Sequence, residues 1–256
     1  MSDVTKGKPA KKLKIINQCK INDFRAMMEE ALAAMDRVLA QRTKDLEVWG
    51  EKEQTEFYRI FGSKGDRIIE VEMSLRGDGH KVKMTAREVM QNCIRRLKWI
   101  KGQMTLDDYI NEIYDPDNPD DPTNSAIRPK SGMPKTFSAY VNEQKQDDYK
   151  VHIGINFTGR VEGGNTRVCA TVMGSDSRVT TLCHEMSHFV KIFADPEHGG
   201  MGTSDYDVKG RKPASGQKDK DTILQHQSGA NDMVIRNDYN VFDNAYNIEK
   251  YFEITL

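Results

Sequence analysis

The spacing of apolar residues in the first hundred positions is typical of amphipathic α-helices. From residue 22 to 39 they recur every three or four positions and share one helix face: Phe24, Met27, Met28, Leu32, Met35, Val38 and Leu39. A shorter helix is predicted to end at Gly62, because glycine readily adopts the left-handed conformation that closes many helices. A longer one is predicted to begin at Thr85, where Thr85 and Glu88 have the spacing of a capping box. The pattern therefore predicts a helical layer over residues 21–113.

Further along the chain the apolar period changes from that of helices to that of strands. Residues 137–141 and 149–157 alternate apolar and polar side chains, as strands with one buried face do. These two segments predict a small β-sheet. Residues 195–207 are glycine-rich and residues 209–221 lysine-rich, two compositions typical of loops. A last helix, dense in aromatic side chains, is predicted over residues 243–252.

A further helix is predicted between the sheet and the glycine-rich loop. Its apolar side chains recur at helical spacing: Val179, Leu182, Cys183, Met186, Val190 and Phe193. Asp176 or Ser177 is the candidate N-cap, because either side chain can accept a hydrogen bond from the first turn. We expect this apolar stripe to hold the helix against the core.

The same helix carries two imidazoles and a carboxylate in the order His-Glu-x-x-His. Residues four apart lie one turn apart on one helix face, so His184 and His188 can bind one metal ion. Glu185 then lies beside the ion as a general base. A catalytic zinc ion takes three protein ligands and a water. The motif therefore predicts a zinc hydrolase whose third ligand comes from elsewhere in the chain.

The zinc architectures differ in the third ligand, and the sequence narrows the choice. Metzincins need a glycine and a histidine where this chain has Lys191 and Ala194, so that class is excluded. A site with a cysteine ligand would have to use Cys169, which lacks the expected flanking residues. A glutamate ligand from a later helix would be Glu249, and an aspartate ligand would be Asp205 in the segment Gly-Thr-Ser-Asp. The residues alone leave the last two open.

The His-Glu-x-x-His motif followed by Gly-Thr-x-Asp resembles the aspzincins, the family of deuterolysin and the peptidyl-Lys metallopeptidases. The resemblance extends upstream to residues 139–141, 150–153 and 174–178. Downstream it extends to the Asn-Ala and Tyr-Phe pairs within residues 244–252. It implies that Asp205 is the third zinc ligand beside the two histidines.

The resemblance implies an α+β, zincin-like fold with an N-terminal helical layer, a small β-sheet, the His-Glu-x-x-His helix and a C-terminal helix. Residues 21–256 would then form one domain, with a helical part over 21–113 and a catalytic part over 137–256. The implied function is that of a metalloendopeptidase with one Zn²⁺ ion, cleaving proteins or peptides, with a preference for lysine as in the peptidyl-Lys branch. Glu185 would take a proton from the zinc-activated water and pass it to the leaving amine.

The chain departs from the family where the tyrosine that stabilises the oxyanion is expected. The family has this tyrosine three positions after the aspartate, where this chain has Val208. Tyr206 is the nearest substitute, and Tyr246 and Tyr251 in the last predicted helix are the alternatives. The interval between the second histidine and the aspartate is also longer than is usual in the family.

Val208 leaves room for a second hypothesis from another functional class. The chain would then be a catalytically silent protein that keeps the zincin scaffold for binding. The intact Glu185 argues for the enzyme, because a structural zinc site has no need of a base and is usually closed by a fourth protein ligand.

Composition and charge limit the partners and the compartment. The chain has 38 basic and 39 acidic residues and a formal charge of −1, so no global field attracts nucleic acid. Without a run of about 18 apolar residues, no transmembrane segment is expected. Residues 1–20 predict a flexible basic arm, and no apolar segment follows its lysines to make a signal peptide. We therefore expect a cytoplasmic protein, or an effector exported by a signal-independent route. The oligomeric state is left open.

The four cysteines are scattered and form no Cys-x-x-Cys pair: Cys19, Cys93, Cys169 and Cys183. Two of them, Cys93 and Cys183, fall on apolar faces of predicted helices. The pattern predicts buried free thiols rather than disulfides.

Overall fold

A computed structural model describes residues 21–72, 81–113, 137–141, 149–159, 167–189, 202–212 and 221–256. These residues form an α+β fold that is mostly helical, which confirms the predicted class. The helices are α1 (Ile21–Val48), α2 (Glu51–Phe61), α3 (Ala86–Gln103), α4 (Arg178–Ser187), α5 (Ile223–Ile235) and α6 (Ala245–Tyr251). The strands are β1 (Ile68–Glu72), β2 (Lys81–Thr85), β3 (Tyr109–Asn111), β4 (Ala139–Val141) and β5 (Val151–Ile153).

Helices α1, α2 and α3 form the predicted helical part. The apolar side chains predicted to share one face of α1 are buried, except Leu32, which is partly buried. Gly62 ends α2 in the left-handed conformation, with φ 61°, and its N–H donates to the carbonyl of Tyr58. Thr85 and Glu88 form the predicted capping box at the start of α3. Local capping signals in the sequence therefore place these helix ends correctly.

Arg42 in α1 connects three helices. Its guanidinium donates to Asp45 in the same helix at 2.9 Å and to Glu56 in α2 at 2.8 Å. Its Nε donates to the backbone carbonyl of Tyr251 in α6, and its guanidinium carbon lies 4.4 Å from the centroid of that tyrosine ring. Since the arginine side chain is almost fully buried, these contacts fix the C-terminal helix against the N-terminal layer.

The strands form two small sheets. Strands β1 and β2 pair as an antiparallel hairpin that the sequence pattern did not predict. The second sheet has the order β3-β5-β4, with β5 parallel to β3 and antiparallel to β4. The predicted strand over residues 149–157 is correct for β5 only, because Ile155–Thr158 forms a 3-10 helix. At this point the amide of Asn156 donates to the carbonyl of Phe137, and the amide of Phe157 donates to the carbonyl of Gly154, three residues earlier.

Helix α4 lies at the centre of the described fold and packs against α1, α3, α6 and strand β4. Ser177 caps it by accepting a hydrogen bond from the amide of Thr180, as one of the two cap predictions expected. The predicted apolar stripe is fully buried over its first four members: Val179, Leu182, Cys183 and Met186. The other two members, Val190 and Phe193, fall outside the described residues.

Helix α5 was missed in the sequence although its start carries a clear signal. Thr222 and Gln225 form a capping box, in which each side chain accepts from the other residue's amide. Helix α6 matches the last predicted helix, with Asn244 as its N-cap. Helix α6 packs against both α4 and α5.

Three of the predicted free thiols are confirmed, since Cys93, Cys169 and Cys183 are buried and unpaired. The fourth, Cys19, lies outside the described residues together with the rest of the basic arm, residues 1–20. Of the lysine-rich segment, residues 213–220 are also outside them. In the part of the chain that is described, no helix has both the length and the apolar character needed to cross a bilayer.

Candidate metal centre

The three residues predicted to bind zinc lie together. His184, His188 and Asp205 each offer one ligand atom, and these atoms lie within 4.8 Å of one another. Oδ1 of Asp205 is 3.1 Å from Nε2 of His184 and 3.7 Å from Nε2 of His188. Ligand atoms about 2.1 Å from a tetrahedral zinc ion lie roughly 3.4 Å from each other, so this spacing fits a shared ion.

His184 is oriented by Glu249 of α6. Its Nδ1 lies 2.8 Å from Oε2 of Glu249, to which it donates, so Nε2 is the nitrogen turned toward Asp205. Arg167 holds both oxygens of the same carboxylate, with 2.7 Å from Nη1 to Oε2. Burial raises the pKa of Glu249, but Arg167 and His184 lower it by more, so the group is a carboxylate at neutral pH. Glu249 therefore supports a ligand and is not one of the three converging groups.

His188 lies one residue beyond the end of α4 but keeps helical backbone angles, with φ −70° and ψ −22°. The four-residue spacing from His184 on one helix face is therefore retained. Its Nδ1 lies 2.9 Å from the backbone carbonyl oxygen of Thr203. A carbonyl oxygen can only accept, so Nδ1 carries the proton and Nε2 faces the centre.

Residues 202–207, here called the ligand loop, bring Asp205 to the two histidines. The amide of Thr203 donates to the carbonyl of Ser187 at 3.0 Å, which fixes the loop to the end of α4. The amide of Ser204 donates to the carbonyl of Asp243 at 2.9 Å, just before α6 begins. Backbone hydrogen bonds on both sides of the loop thus set the position of the third ligand.

The atoms at the centre have the character of cation ligands. Asp205 is partly exposed as a whole, but its Oδ1 is buried and, among the described residues, has no hydrogen-bond partner. His184 Nε2 is close to it without being aligned as a donor. The oxygen thus faces two imidazole nitrogens without an aligned hydrogen bond, and a cation shared by the three atoms would neutralise the carboxylate. Two nitrogens and one oxygen are also a donor set that zinc accepts, so the residues fit the ion.

Charge at the centre agrees with this fit. Burial lowers the pKa of His184, but the charges of Asp205 and Glu249 outweigh burial and raise it to about 10. Burial raises the pKa of Asp205, yet the two histidines hold it well below its usual range. The two carboxylates therefore favour positive charge at His184.

Glu185 lies beside the three ligands in a cavity of about 260 Å³. Strand β4 lines one side of this cavity, and Arg167, Ile223 and Tyr246 line others. Burial raises the pKa of Glu185, although the nearby histidines act in the opposite direction. The structure thus brings the predicted base next to the predicted ligands, within a space that a small part of a substrate can enter.

The tyrosines predicted as oxyanion donors differ in position. The Tyr206 hydroxyl donates to Asp243 at 2.9 Å, and Tyr206 is not among the described residues that line the cavity. Tyr251 is also absent from that lining and lies under Arg42. Tyr246 lines the cavity, and its ring meets the ring of His184 edge-on with centroids 4.7 Å apart.

Three further residues of the centre were not found from the sequence. Thr203 acts through its backbone carbonyl, which a side-chain motif does not reveal. Arg167 follows no recognisable pattern. His226 of α5 lies against Tyr206 and Tyr246. The available sequence signal was the capping box at the start of α5, which predicts the helix that carries this histidine.

No protein-family model, curated protein or solved structure matches the chain.

Proposed function

We propose that the protein is a zinc-dependent metalloendopeptidase of the aspzincin type, with a zincin-like fold. The observation that carries the proposal is the convergence of His184, His188 and Asp205 beside the buried Glu185. A structural zinc site would usually be closed by a fourth protein ligand. Among the described residues the group of potential ligands has three members, which leaves a position for water.

Zinc held by these ligands would polarise the scissile carbonyl and lower the pKa of a water molecule. Glu185 would accept a proton from that water and deliver it to the leaving amine. Burial moves the pKa of Glu185 upward, toward the pH at which a single group both accepts and donates. Arg167 and Glu249 keep the imidazole of His184 in one tautomer and orientation during this exchange.

Tyr246 is our choice for the group that stabilises the oxyanion, in preference to Tyr206. Its ring lines the cavity, whereas the Tyr206 hydroxyl is already bonded to Asp243. Burial and the nearby Asp205 raise the pKa of Tyr246 well above its ordinary value. The hydroxyl therefore keeps its proton at neutral pH and can donate it in a hydrogen bond.

The substrate that fits this site is an extended peptide. Strand β4 pairs with β5 on one side only within the described sheet, and its residues line the cavity. A peptide can add to such an edge through main-chain hydrogen bonds, which brings its carbonyl groups past the centre. The preference for lysine is supported by the sequence resemblance alone. Among the described lining residues the carboxylates are Glu185 and Asp205, both of which already have a role.

A second candidate is a catalytically silent protein that uses the zincin scaffold for binding. Val208 at the family's tyrosine position and the engaged hydroxyl of Tyr206 favour it. The retained Glu185, buried at some cost in free energy, favours the peptidase.

Digestion of a denatured protein mixture distinguishes the two candidates. The zinc-loaded protein and its Glu185→Gln variant are incubated with the mixture, and new amino termini are identified by sequencing. The peptidase predicts new termini with the wild type and none with the variant. A wild-type sample that holds one zinc ion per chain and produces no new termini would support the silent scaffold.

A further inference from the structure

His226 of α5 is a buried histidine to which the reaction above gives no role. It is 2% exposed, and its Nδ1 lies 2.6 Å from the backbone carbonyl oxygen of Tyr206. Because that oxygen can only accept, Nδ1 carries the proton and donates it. The imidazole ring also stacks on the ring of Tyr246, with centroids 5.0 Å apart and planes inclined by 4°.

Both partners of His226 belong to the candidate metal centre. Tyr206 directly follows Asp205, and the hydrogen bond from Nδ1 holds the Tyr206–Asp207 peptide unit, one residue beyond the third ligand. Tyr246 lines the cavity and contacts the ring of His184. One side chain therefore connects the ligand loop with the tyrosine that faces the substrate.

The backbone of α5 cannot adjust easily to a change at this position. Gly229 lies one turn after His226 on the same helix face. A Cβ atom at Gly229 would lie 2.5 Å from the carbonyl oxygen of Asp207 and 3.1 Å from Cα of Val208. Helix α5 thus contacts the backbone of the ligand loop and its immediate continuation directly. The distance at which His226 meets the loop is set by that contact.

We propose that His226 is a positioning residue with two separable actions on the centre. Its Nδ1–H fixes the ligand loop and thereby Asp205, and its ring fixes the plane of Tyr246. The first action requires only that the centre binds a metal ion. The second rests on the proposed peptidase function, in which Tyr246 donates to the oxyanion.

Two substitutions separate the actions. His226→Phe keeps a ring that can stack on Tyr246 and removes the donor, so zinc affinity should fall by about 10- to 100-fold, as for other groups that orient a ligand. His226→Asn places an amide N–H near the position of Nδ1 and removes the ring. It should bind zinc nearly as tightly as the wild type, while kcat falls by up to about 10²-fold with little change in KM, because Tyr246 is no longer held in place.

Zinc affinity is measured by competition with a graded chelator, and crystal structures of both variants show where Tyr246 lies. The Tyr246 ring should keep its place in His226→Phe and move in His226→Asn, a result that needs no enzymatic activity. Thr222→Ala is the matched control, because it removes the N-cap of the same helix without touching the imidazole. It should lower the unfolding temperature and leave zinc affinity and kcat near their wild-type values.

The possible outcomes keep this proposal apart from the peptidase proposal. Wild-type zinc affinity in His226→Phe overturns the action on the ligand loop, and an unmoved Tyr246 ring in His226→Asn overturns the action on the tyrosine. If Thr222→Ala reproduces both losses, His226 serves only the stability of α5. If the wild type binds zinc but cleaves nothing, the peptidase proposal fails while the affinities and crystal structures still decide the role of His226.

Discussion

Glu249 accepts a hydrogen bond from Nδ1 of His184 at 2.8 Å, across the contact between α6 and α4. A glutamate in this position orients the imidazole of His184 and is not itself one of the three converging groups. The sequence left Glu249 and Asp205 open as third ligands. The convergence of Asp205 with the two histidines favours the aspartate.

The two candidate ligands are expected to differ in their effect on zinc binding. The wild type should hold about one zinc ion per chain. Asp205→Ala removes a ligand and should lose zinc at chelator concentrations that Glu249→Gln survives, since loss of a supporting group costs about 10- to 100-fold in affinity. Glu253→Gln, in the residues just after α6, is a control that should bind like the wild type. If Glu249→Gln lost zinc at lower chelator concentrations than Asp205→Ala, Glu249 would be the third ligand and Asp205 would not.

Glu185→Gln tests the general base. Glutamine keeps the size of the side chain but cannot accept a proton. Zinc content should therefore stay at the wild-type level while kcat for peptide cleavage falls by a factor on the order of 10² or more. Elemental analysis and a peptide-cleavage assay on the same sample provide both values. Turnover near the wild-type rate would remove Glu185 from the mechanism.

Tyr246→Phe and Tyr206→Phe test the choice of oxyanion donor. Loss of the Tyr246 hydroxyl should lower kcat by roughly 10²-fold, the effect typical of one oxyanion donor, with a small change in KM. Tyr206→Phe breaks the hydrogen bond to Asp243 and should lower stability by about 1 kcal/mol while kcat changes little. A larger loss of kcat in Tyr206→Phe would restore the nearer tyrosine as the donor.

Arg42→Ala tests the connection between the N-terminal helices and α6. Removal of the guanidinium leaves Asp45, Glu56 and the Tyr251 carbonyl without their buried donor. The free energy of unfolding at pH 7 should fall by about 3 kcal/mol, as measured by urea titration.

The loss caused by Arg42→Ala should depend on pH with a defined sign. The hydrogen bond from Arg42, opposed in part by burial, lowers the pKa of Glu56 below its ordinary value of 4.5. A carboxyl group whose pKa is lower in the folded than in the unfolded protein stabilises the fold at pH values above its unfolded-state pKa. This contribution disappears as the pH falls through its folded-state pKa. The difference between wild type and variant should therefore shrink below about pH 4. An equal difference at pH 7 and pH 3 would show that the charge of Glu56 has no part in it.

Gly229→Ala tests the close approach of α5 to the ligand loop. Alanine favours helix by about 1 kcal/mol over glycine, but the added Cβ would meet backbone atoms of Asp207 and Val208. Overpacking of this kind costs about 1–3 kcal/mol, so we expect net destabilisation and weaker zinc binding. Gly102→Ala in α3 is the matched control, because nothing lies within 4 Å of its added Cβ. It should be neutral or stabilising in the same thermal unfolding assay.

The sequence predicted those parts of the fold and centre that depend on neighbouring positions. The histidines four residues apart, the capping pair Thr85 and Glu88, and the glycine that ends α2 are all local in this sense. Helix α5 was predictable on the same grounds but was overlooked, since Thr222 and Gln225 have the spacing of a capping box.

Contacts between distant segments were not predictable from one sequence. Nothing in the segment around Arg167 indicates that it holds Glu249, and nothing around Tyr246 indicates that its ring contacts that of His184. The short strands β1 and β2 were missed because each is half of a hairpin whose stability depends on its partner.

The hydrogen bond from the amide of Thr203 to the carbonyl of Ser187 explains why the long interval before Asp205 does not disturb the centre. This bond fixes Ser187 and Thr203 relative to each other, and it does not depend on the number of residues between them. The entropy of closing a loop rises only slowly, by about 0.6 kcal/mol for each doubling of its length. Insertions between Phe189 and Gly202 should therefore leave the position of Asp205 beside the two histidines unchanged, because the hydrogen bond that fixes the ligand loop lies outside them.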